Sequence, residues 1–416
     1  MKRELGIPNM PHLLLAPLVA FACVAYVFRF SSPLGEISLF RVAMVAYFFC
    51  AIWKFLFLRS VLNNGSAVIR LIFGCVLIII PTVIDLIFFV EEPSLAKPIY
   101  AFWANVAFFV LFSLTVEQKH FVYYLKWYCY VAVFEAIISL YSHFTMNFPL
   151  DFVIQTYGSE YAQGLSMFNV NDDLVRLSGT FFDPNFYGIY LVSVIASSCW
   201  LFFYSSTSVG YLLLAGLSLY QLMLTGSRTA LLGLCGVIFA TLLIRKANLI
   251  KVVGFLLLLA VLGSLPLLFD ASLANQLIDG SSIVERFDFF QRGVDAFLAN
   301  PLFGSGSSAL VDPATGISTA HSVYLSILGR NGIFGLLFFL FAVLIIFFPA
   351  VWGNQVERPQ RDFALQFLLM IGIIFISYDI LYFFEPLFFL FAMMFVCTKS
   401  GARAFSVCES CSERGC

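Results

Sequence analysis

The sequence predicts an all-α integral membrane protein with about 12 transmembrane helices and a helical extracytoplasmic loop region. Of its 416 residues, 61% are hydrophobic and only 11% are charged, whereas soluble globular proteins carry about 25% charged residues. Apolar runs recur from one end to the other, and each is long enough to cross about 30 Å of hydrocarbon. This pattern excludes a soluble protein, and we expect a lipid bilayer and no nucleic acid as a partner.

The apolar runs divide the chain into a polytopic membrane domain, residues 1–398, and a short cytoplasmic tail, residues 399–416. The span 322–350 is too long for one straight crossing, so its first part, 321–332, is predicted to be a surface or re-entrant piece. The predicted spans are 12–30, 38–58, 70–90, 98–116, 123–146, 181–204, 208–225, 229–244, 251–269, 322–350, 363–381 and 384–398.

The distribution of basic residues orients these spans. With the N-terminus in the cytoplasm, most of the 23 basic residues fall in inner segments, as expected because cytoplasmic loops are enriched in Lys and Arg. Both termini are then predicted to be cytoplasmic. The two long polar loops, 149–178 and 270–320, are predicted to lie outside, and the second is the large outer loop.

Among the basic residues on the predicted outer side, where topology disfavours them, four arginines stand out: Arg176, Arg228, Arg286 and Arg292. Carboxylates dominate the outer loops, so the presence of arginines there indicates that a function on this face requires positive charge. A guanidinium offers a planar fork of donors suited to phosphate. The alternatives are that Arg228 anchors a helix end at the lipid headgroups, and that Arg286 and Arg292 lie on the solvated face of an amphipathic helix.

His321 follows a loop rich in Gly, Ser and Pro and begins a new helix. An imidazole with a pKa near 6.5 is a suitable general base, although an interfacial or capping histidine is the alternative. Asp85, Glu135 and Asp379 fall within or beside spans, where charge is costly. We expect them to face a cavity or a partner inside the bundle, without assigning roles.

No outer loop contains clustered carboxylates that would hold a metal, so neither a metal nor another cofactor is expected. Cys408 and Cys411 have the spacing of half a zinc site, but a matching second half is missing. Whether these tail cysteines bind anything is left open. A weak internal sequence repeat is also present: Arg176 precedes Gly188 by twelve residues, and Arg292 precedes Gly304 by twelve residues. It suggests similar turns in both outer loops.

Six motifs follow one another along the second half of the chain. They are Ser178-Gly-Thr-Phe-Phe-Asp-Pro-Asn-Phe-Tyr-Gly188, Leu224-Thr-Gly-Ser-Arg228, Glu285-Arg286, Asn300-Pro-Leu-Phe-Gly-Ser-Gly306, His321-Ser-Val-Tyr-Leu325 and Asn331-Gly-Ile-Phe-Gly335. In order and spacing this set resembles the O-antigen ligase and polymerase (Wzy-like) superfamily of bacterial membrane glycosyltransferases. The resemblance is strongest over about 170–340, and the predicted core is 179–340. Ser322 stands where the family commonly has Asn, which puts in doubt a helper role at that position.

The resemblance implies a helical membrane bundle related to the GT-C glycosyltransferases, in the bacterial cytoplasmic (inner) membrane. It also implies that Arg228 and Arg286 hold an undecaprenyl-diphosphate-linked glycan and that His321 activates the acceptor. Guanidiniums can stabilise a diphosphate leaving group without a metal, so we expect metal-independent, inverting transfer. Arg176 and Arg292 are the further candidate diphosphate ligands.

Three functions remain open at this point. A polymerase joins lipid-linked repeat units into a surface polysaccharide, and the presence of loop 149–178 beside the large outer loop favours it because that loop suits a second glycan chain. A ligase moves the finished glycan to lipid A core or another terminal acceptor. A transporter of lipid-linked glycan needs neither a base nor outer arginines, and its polar groups would lie at the midplane. A chain-length regulator or a flippase is a possible protein partner for the first two.

Overall fold

We describe the fold from a computed structural model of the chain. Twelve α-helices and two short hairpins make up most of the part it describes. The structure describes residues 10–24, 29–32, 35–58, 65–90, 93–145, 168–171, 174–181, 183–205, 207–244, 281–311, 318–353, 356–379, 381 and 384–399.

The described part of the chain is therefore mainly helical, as predicted. Its helices are α1 (Met10–Val24), α2 (Leu39–Leu58), α3 (Gly65–Phe88), α4 (Pro93–Thr115), α5 (Phe121–Thr145), α6 (Pro184–Tyr204), α7 (Val209–Thr225), α8 (Arg228–Ile244), α9 (Ser281–Ala299), α10 (Val323–Trp352), α11 (Arg358–Ser377) and α12 (Glu385–Val396). The strands are β1 (Arg29–Ser32), β2 (Gly35–Ser38), β3 (Phe168–Asn171) and β4 (Leu174–Leu177), paired antiparallel as β1–β2 and β3–β4.

Six helices within the described residues are long and apolar enough to cross a membrane, and shorter apolar helices accompany them. The protein is thus a multi-pass membrane protein, although the prediction of 12 spans is matched only in part. The predicted span 251–269 lies outside the described residues. The six candidates are Gly65–Phe88, Leu95–Thr115, Gln118–Thr145, Pro184–Tyr204, Val323–Trp352 and Arg358–Ile376.

Several span boundaries differ from the prediction. The first helix ends at Val24 and the chain is a β-strand by Arg29, so the predicted span 12–30 is too long. A strand pairs its backbone groups with a neighbouring strand, and the four residues of β2 supply that partner. The predicted spans 363–381 and 384–398 remain two helices, because helical backbone stops at Ser377 and resumes at Glu385.

Helix α6 lies at the centre of the bundle. It packs against α7 and α8, and most of its length is buried within the protein. Gly188 makes the approach of α8 possible, because a Cβ there would lie 2.7 Å from the Cβ of Ala230. Aromatic side chains fill much of the surrounding core, among them Trp200 and Phe121, whose ring centroids are 5.2 Å apart.

The long helix α10 is broken at Gly332, where the predicted surface piece ends. Gly332 has φ 64° and ψ −164°, a conformation that is essentially restricted to glycine. A second segment, 301–306, runs beside the break and supplies hydrogen bonds for its backbone. Ser305 N donates to Gly329 O at 2.8 Å, and Ile333 N donates to Pro301 O at 2.9 Å. The break is tolerated because these bonds replace helical ones that it removes.

Helix α9 is amphipathic, and its orientation follows from its small residues. Gly293 and Ala296 are buried and face α10, while Phe287 and Leu298 are exposed on the opposite side. A Cβ on Gly293 would lie 2.8 Å from the Cβ of Ala320, so glycine lets α9 approach the start of α10 closely. The exposed apolar side is of the kind that lies against lipid.

Candidate active site

Three of the four predicted arginines are brought within electrostatic reach of one another. We call Arg176, Arg228 and Arg286 the arginine cluster. Arg176 lies on β4, Arg228 is the first residue of α8, and Arg286 lies in the second turn of α9. The Nε of Arg176 donates to Thr225 O at 2.8 Å, and Nη1 of Arg286 donates to Thr229 Oγ1 at 3.3 Å. Both contacts hold the arginines against the connection between α7 and α8.

This connection is a tight turn whose geometry follows from its sequence. Gly226 ends α7 in the left-handed conformation, with φ 58° and ψ 21°, and its N–H bonds to Met223 O. This is the usual way for a helix to end on glycine. Ser227 then precedes α8, and its Oγ accepts from Ala230 N at 3.3 Å and donates to Asn185 Oδ1 at 3.0 Å. The turn therefore fixes the first residue of α8, Arg228, relative to α6.

The electrostatics of the cluster favour an anion. Burial lowers the pKa of Arg176, the charge of Asp183 opposes that shift, and the charges of Arg286 and Arg228 lower the pKa further. Burial is also the largest cause of the lowered pKa of Arg286, to which the charge of Arg228 contributes. A bound anion would relieve both the desolvation and the mutual repulsion of these cations.

Asp183 is the carboxylate beside the cluster, and it is held in place by two kinds of bond. As the residue before α6, it caps that helix and accepts from Asn185 N at 2.6 Å and Phe186 N at 3.4 Å. Its other oxygen, Oδ2, accepts from the hydroxyl of Tyr378 at 2.8 Å. Burial, followed by the charge of Asp183, raises the pKa of Tyr378, so this phenol stays protonated and remains a donor.

His321 also lies against Tyr378. Its ring centroid is 5.7 Å from that of Tyr378 and 4.2 Å from that of Phe289 on α9. Among the described residues other than glycine, His321 has the left-handed backbone conformation, with φ 50°. That conformation costs about 1–2 kcal/mol per residue, and strain of this kind concentrates at functional sites.

Arg292 is placed beside His321. Its Cζ lies 4.5 Å above the ring of Phe289, the same ring that contacts His321. The arginines that lower the pKa of Arg176 are Arg286 and Arg228, and Arg228 also lowers that of Arg286. The four predicted arginines thus divide into a cluster of three and one guanidinium stacked next to the histidine.

Glu135 and Asp85, two of the buried carboxylates to which the sequence assigned no role, accept hydrogen bonds from loops of the site. Glu135 on α5 accepts from the hydroxyl of Tyr187 at 2.6 Å and from Thr180 N at 3.4 Å, which fixes the turn before α6. Asp85 on α3 accepts from Ser307 N at 2.8 Å and from the Ser307 hydroxyl. The expectation that these carboxylates meet partners inside the bundle is confirmed.

Ser322 has a structural role at the start of α10. Its Oγ accepts from Leu325 N at 3.5 Å, as a helix-capping residue does, and donates to Phe375 O at 3.1 Å. The side chain therefore joins α10 to α11 rather than pointing at the arginine cluster. Within the part of the chain that the structure describes, no group of three or more metal-ligating side chains occurs.

Sequence reasoning missed Tyr378 and Phe289, which connect the candidate residues. Tyr378 follows α11 in an apolar stretch, and only its neighbour Asp379 stood out there because it is charged. Phe289 is one of 50 phenylalanines, and nothing in the pattern separates it from those that contact lipid. The available signal for Tyr378 was a phenol next to a carboxylate at the end of a span.

The fold and the site together define a multi-pass helical membrane protein with a cluster of guanidiniums and a histidine at one end of its bundle. The family model described as O-antigen ligase matches residues 212–340, and the predicted resemblance to the O-antigen ligase and polymerase superfamily is thereby confirmed. The matched segment contains Arg228, Arg286, Arg292 and His321. No curated protein matches the chain. The family implies a glycosyltransferase-type role that uses lipid-linked glycans.

Proposed function

We propose that this protein is a polymerase that joins undecaprenyl-diphosphate-linked oligosaccharide repeat units into a surface polysaccharide. The observation that carries the proposal is that Tyr378 contacts both His321 and Asp183, the carboxylate beside the arginine cluster. Such a site provides cations for a diphosphate and an imidazole for an acceptor, as glycosyl transfer from a lipid-linked donor requires. We assign this chemistry to the core at 179–340, together with Arg176 and Tyr378.

In the proposed reaction, the acceptor hydroxyl oxygen attacks the anomeric carbon of the donor sugar. Its proton passes to His321, and the bond from that carbon to the diphosphate oxygen breaks. The leaving undecaprenyl diphosphate takes the electron pair, and Arg176, Arg228 and Arg286 stabilise its charge. Attack opposite the leaving group inverts the anomeric centre, and no metal is needed because the guanidiniums take over charge stabilisation.

The proposed location is the extracytoplasmic face of the bacterial inner membrane, with both termini in the cytoplasm. The excess of basic residues in the predicted inner segments supports it. The exposed apolar side of α9 also supports it, since an amphipathic helix next to the site can lie on the membrane surface where lipid-linked donors reside.

A ligase that transfers the lipid-linked glycan to lipid A core is the second candidate. The description of the matching family model favours it, while the second polar loop, 149–178, favours a polymerase. Purified protein in liposomes, supplied with labelled lipid-linked donor, distinguishes the two. A polymerase lengthens glycan on undecaprenyl diphosphate without another acceptor, whereas a ligase makes product only when lipid A core is added.

The first test of the mechanism is His321→Ala in that assay. We expect turnover to fall by about 10²–10⁴-fold, the usual contribution of a positioned base. Donor binding, measured with the non-reacting lipid diphosphate, should persist because the arginine cluster is intact. Normal turnover, or a loss caused entirely by lost donor binding, would move the base elsewhere, and Asp183 and the exposed Asp288 would be examined next.

A further inference from the structure

The backbone around His321 is fixed from the buried side of the site. We call residues 318–322 the histidine turn. Within it, the N–H of His321 donates to Thr319 Oγ1 at 3.0 Å, and the N–H of Ala320 donates to Ser326 Oγ at 3.0 Å. Two successive backbone groups, including that of the residue with positive φ, are thus held by side-chain hydroxyls.

Both hydroxyls converge on one carboxylate. Oδ2 of Asp379 accepts from Ser326 Oγ at 2.5 Å and from Thr319 Oγ1 at 3.3 Å. A hydroxyl has one proton and two lone pairs. Because each hydroxyl donates its proton in a hydrogen bond to Asp379, its lone pairs face other donors. Here these donors are the N–H groups of Ala320 and His321. The carboxylate therefore dictates the direction in which both hydroxyls accept.

A buried arginine holds the opposite end of the same turn. Arg330 is 2% exposed, and its Nη2 donates to the carbonyl oxygen of Ser318 and, at 3.4 Å, to Ser318 Oγ. Its charge favours the ionised form of Asp379, against the burial that raises the pKa of this carboxyl group. The two buried side chains, Asp379 and Arg330, thus hold the histidine turn at both of its ends.

We propose that Asp379 is a positioning residue that holds His321 in its left-handed conformation and so aims the imidazole at the acceptor. Thr319 and Ser326 are the links through which it acts. Asp379 lies outside the segment 212–340 that matches the family model, and its hydrogen bonds reach the histidine turn through Thr319 and Ser326. The inference rests on the proposed function, because it needs His321 to be the base.

The alternative is that Asp379 merely stabilises the bundle, as a buried carboxylate often does when its partners satisfy it. Asp362 provides a matched comparison. It is 5% exposed on α11, accepts from the hydroxyl of Tyr204, and lies 4.0 Å from an arginine, Arg358. It shares the burial, the hydroxyl donor and the nearby guanidinium of Asp379 but lies near the start of α11, whereas the histidine turn contacts the other end of that helix through Ser322 and Phe375.

The test compares Asp379→Asn, Thr319→Val and the control Asp362→Asn in liposomes with labelled donor. Asn keeps the shape of Asp379 but removes the charge that both hydroxyls donate to, and Val keeps the shape of Thr319 without its hydroxyl. We expect both to lower kcat by about 10²-fold, the effect of misplacing a reacting group by about 1 Å. The KM for the donor should stay within about twofold, and Asp362→Asn should retain wild-type kcat.

Each substitution is then combined with His321→Ala. If Asp379 acts through His321, Asp379→Asn causes no further loss in that background, because residues that act as a unit are not additive. A full additional loss in the double variant, or wild-type kcat for both Asp379→Asn and Thr319→Val, overturns the inference. A fall in kcat for Asp362→Asn as large as that for Asp379→Asn overturns it too, since the effect is then general to buried carboxylates.

The same measurements separate this inference from the proposed function. Wild-type turnover by His321→Ala alone removes the proposed base, and the positioning role falls with it. Loss of turnover by His321→Ala together with wild-type behaviour of Asp379→Asn and Thr319→Val leaves the base in place and rejects only the positioning role. Thermal unfolding of each variant in detergent identifies a misfolded protein, and Thr319→Val, which buries no unpaired charge, then decides the outcome.

Discussion

In the arginine cluster, each guanidinium comes from the start or middle of a different element, β4, α8 or α9, and the contacts we describe for Arg176 and Arg286 run to the connection between α7 and α8. In the histidine turn, strained backbone is held by a buried carboxylate, two hydroxyls and a buried arginine. The difference matches the two tasks. A cluster of partly desolvated cations gains stability from an incoming anion, whereas a base must be correctly oriented before the acceptor arrives.

The two regions also use glycine differently. The weak sequence repeat, in which Gly188 and Gly304 each follow an arginine by twelve residues, predicted similar turns, and this prediction is wrong. Gly188 lies within α6 and lets α8 approach, while Gly304 has φ 77° in the segment beside the broken helix. Both lack room for a side chain, yet a Cβ on Gly188 would meet the Cβ of Ala230 and one on Gly304 would overlap the backbone of Arg330.

The largest effect is therefore expected from Gly304→Ala. Alanine is strained at positive φ, and the added Cβ overlaps backbone that cannot rotate away. The overlapping residue is Arg330, which holds the histidine turn, so turnover should fall below detection. Gly188→Ala should instead weaken donor binding, because it moves Arg228 with α8, and its effect should be smaller.

The control for this pair is Gly210→Ala near the start of α7, where the nearest atom to an added Cβ is Ser208 Oγ at an ordinary 3.5 Å. It should match the wild type in turnover and in donor binding, measured in liposomes with labelled donor. Equal defects of the same kind in Gly304→Ala and Gly188→Ala would show that the two regions are not separable.

The next largest effect is expected for lysine in the arginine cluster. Arg228→Lys and Arg286→Lys keep the charge but lose the planar fork that grips a diphosphate. We expect kcat/KM to fall by about 10²-fold, as when one donor to a developing negative charge is removed. Arg292→Lys should cost less, because an ammonium can still lie over the ring of Phe289.

Arg361→Lys serves as the comparison, since Arg361 is exposed on α11, away from the site. Transfer rates of the purified variants, together with binding of the lipid diphosphate, measure these effects. Wild-type rates for Arg228→Lys and Arg286→Lys would reduce both residues to membrane anchors. A larger defect in Arg292→Lys than in either would place the diphosphate beside Phe289 instead.

Sequence reasoning succeeded where chemistry is local and failed where it depends on contacts between distant segments. Hydrophobic run length predicted the helices, and the excess length of one run predicted a separate piece over 321–332, which ends where α10 is broken at Gly332. The predicted topology singled out the arginines because it places them on the outer side of the membrane, where basic residues are disfavoured. That Arg292 separates from the other three could not be read from spacing, because it depends on how α9 packs through Gly293 against Ala320.

The same reason explains why the carboxylates remained without roles. A buried Asp or Glu in an apolar run signals a partner, but the partner of Asp379 lies about 60 residues away in sequence, and Asp85 meets Ser307 across an even longer separation. Neither pairing leaves a periodic pattern. Only the folded chain shows that these charges hold loops and that Tyr378 contacts both His321 and Asp183, the carboxylate beside the arginine cluster.

Tyr378 is in contact with both regions, and a single substitution tests whether its hydroxyl acts with the arginine cluster or with the histidine. Its hydroxyl donates to Asp183, and its ring contacts His321.

Tyr378→Phe removes the hydrogen bond and keeps the ring. Freed of this donor, the Asp183 carboxylate should interact more strongly with the arginine cluster and compete with the diphosphate. We expect the KM for the donor to rise about fivefold, the equivalent of about 1 kcal/mol for one hydrogen bond, while kcat is unchanged because the imidazole keeps its neighbours. Steady-state kinetics over a range of donor concentrations separate the two constants. An unchanged KM with a reduced kcat would instead make the hydroxyl part of the machinery of the base, and the two regions would then be connected by chemistry as well as by contact.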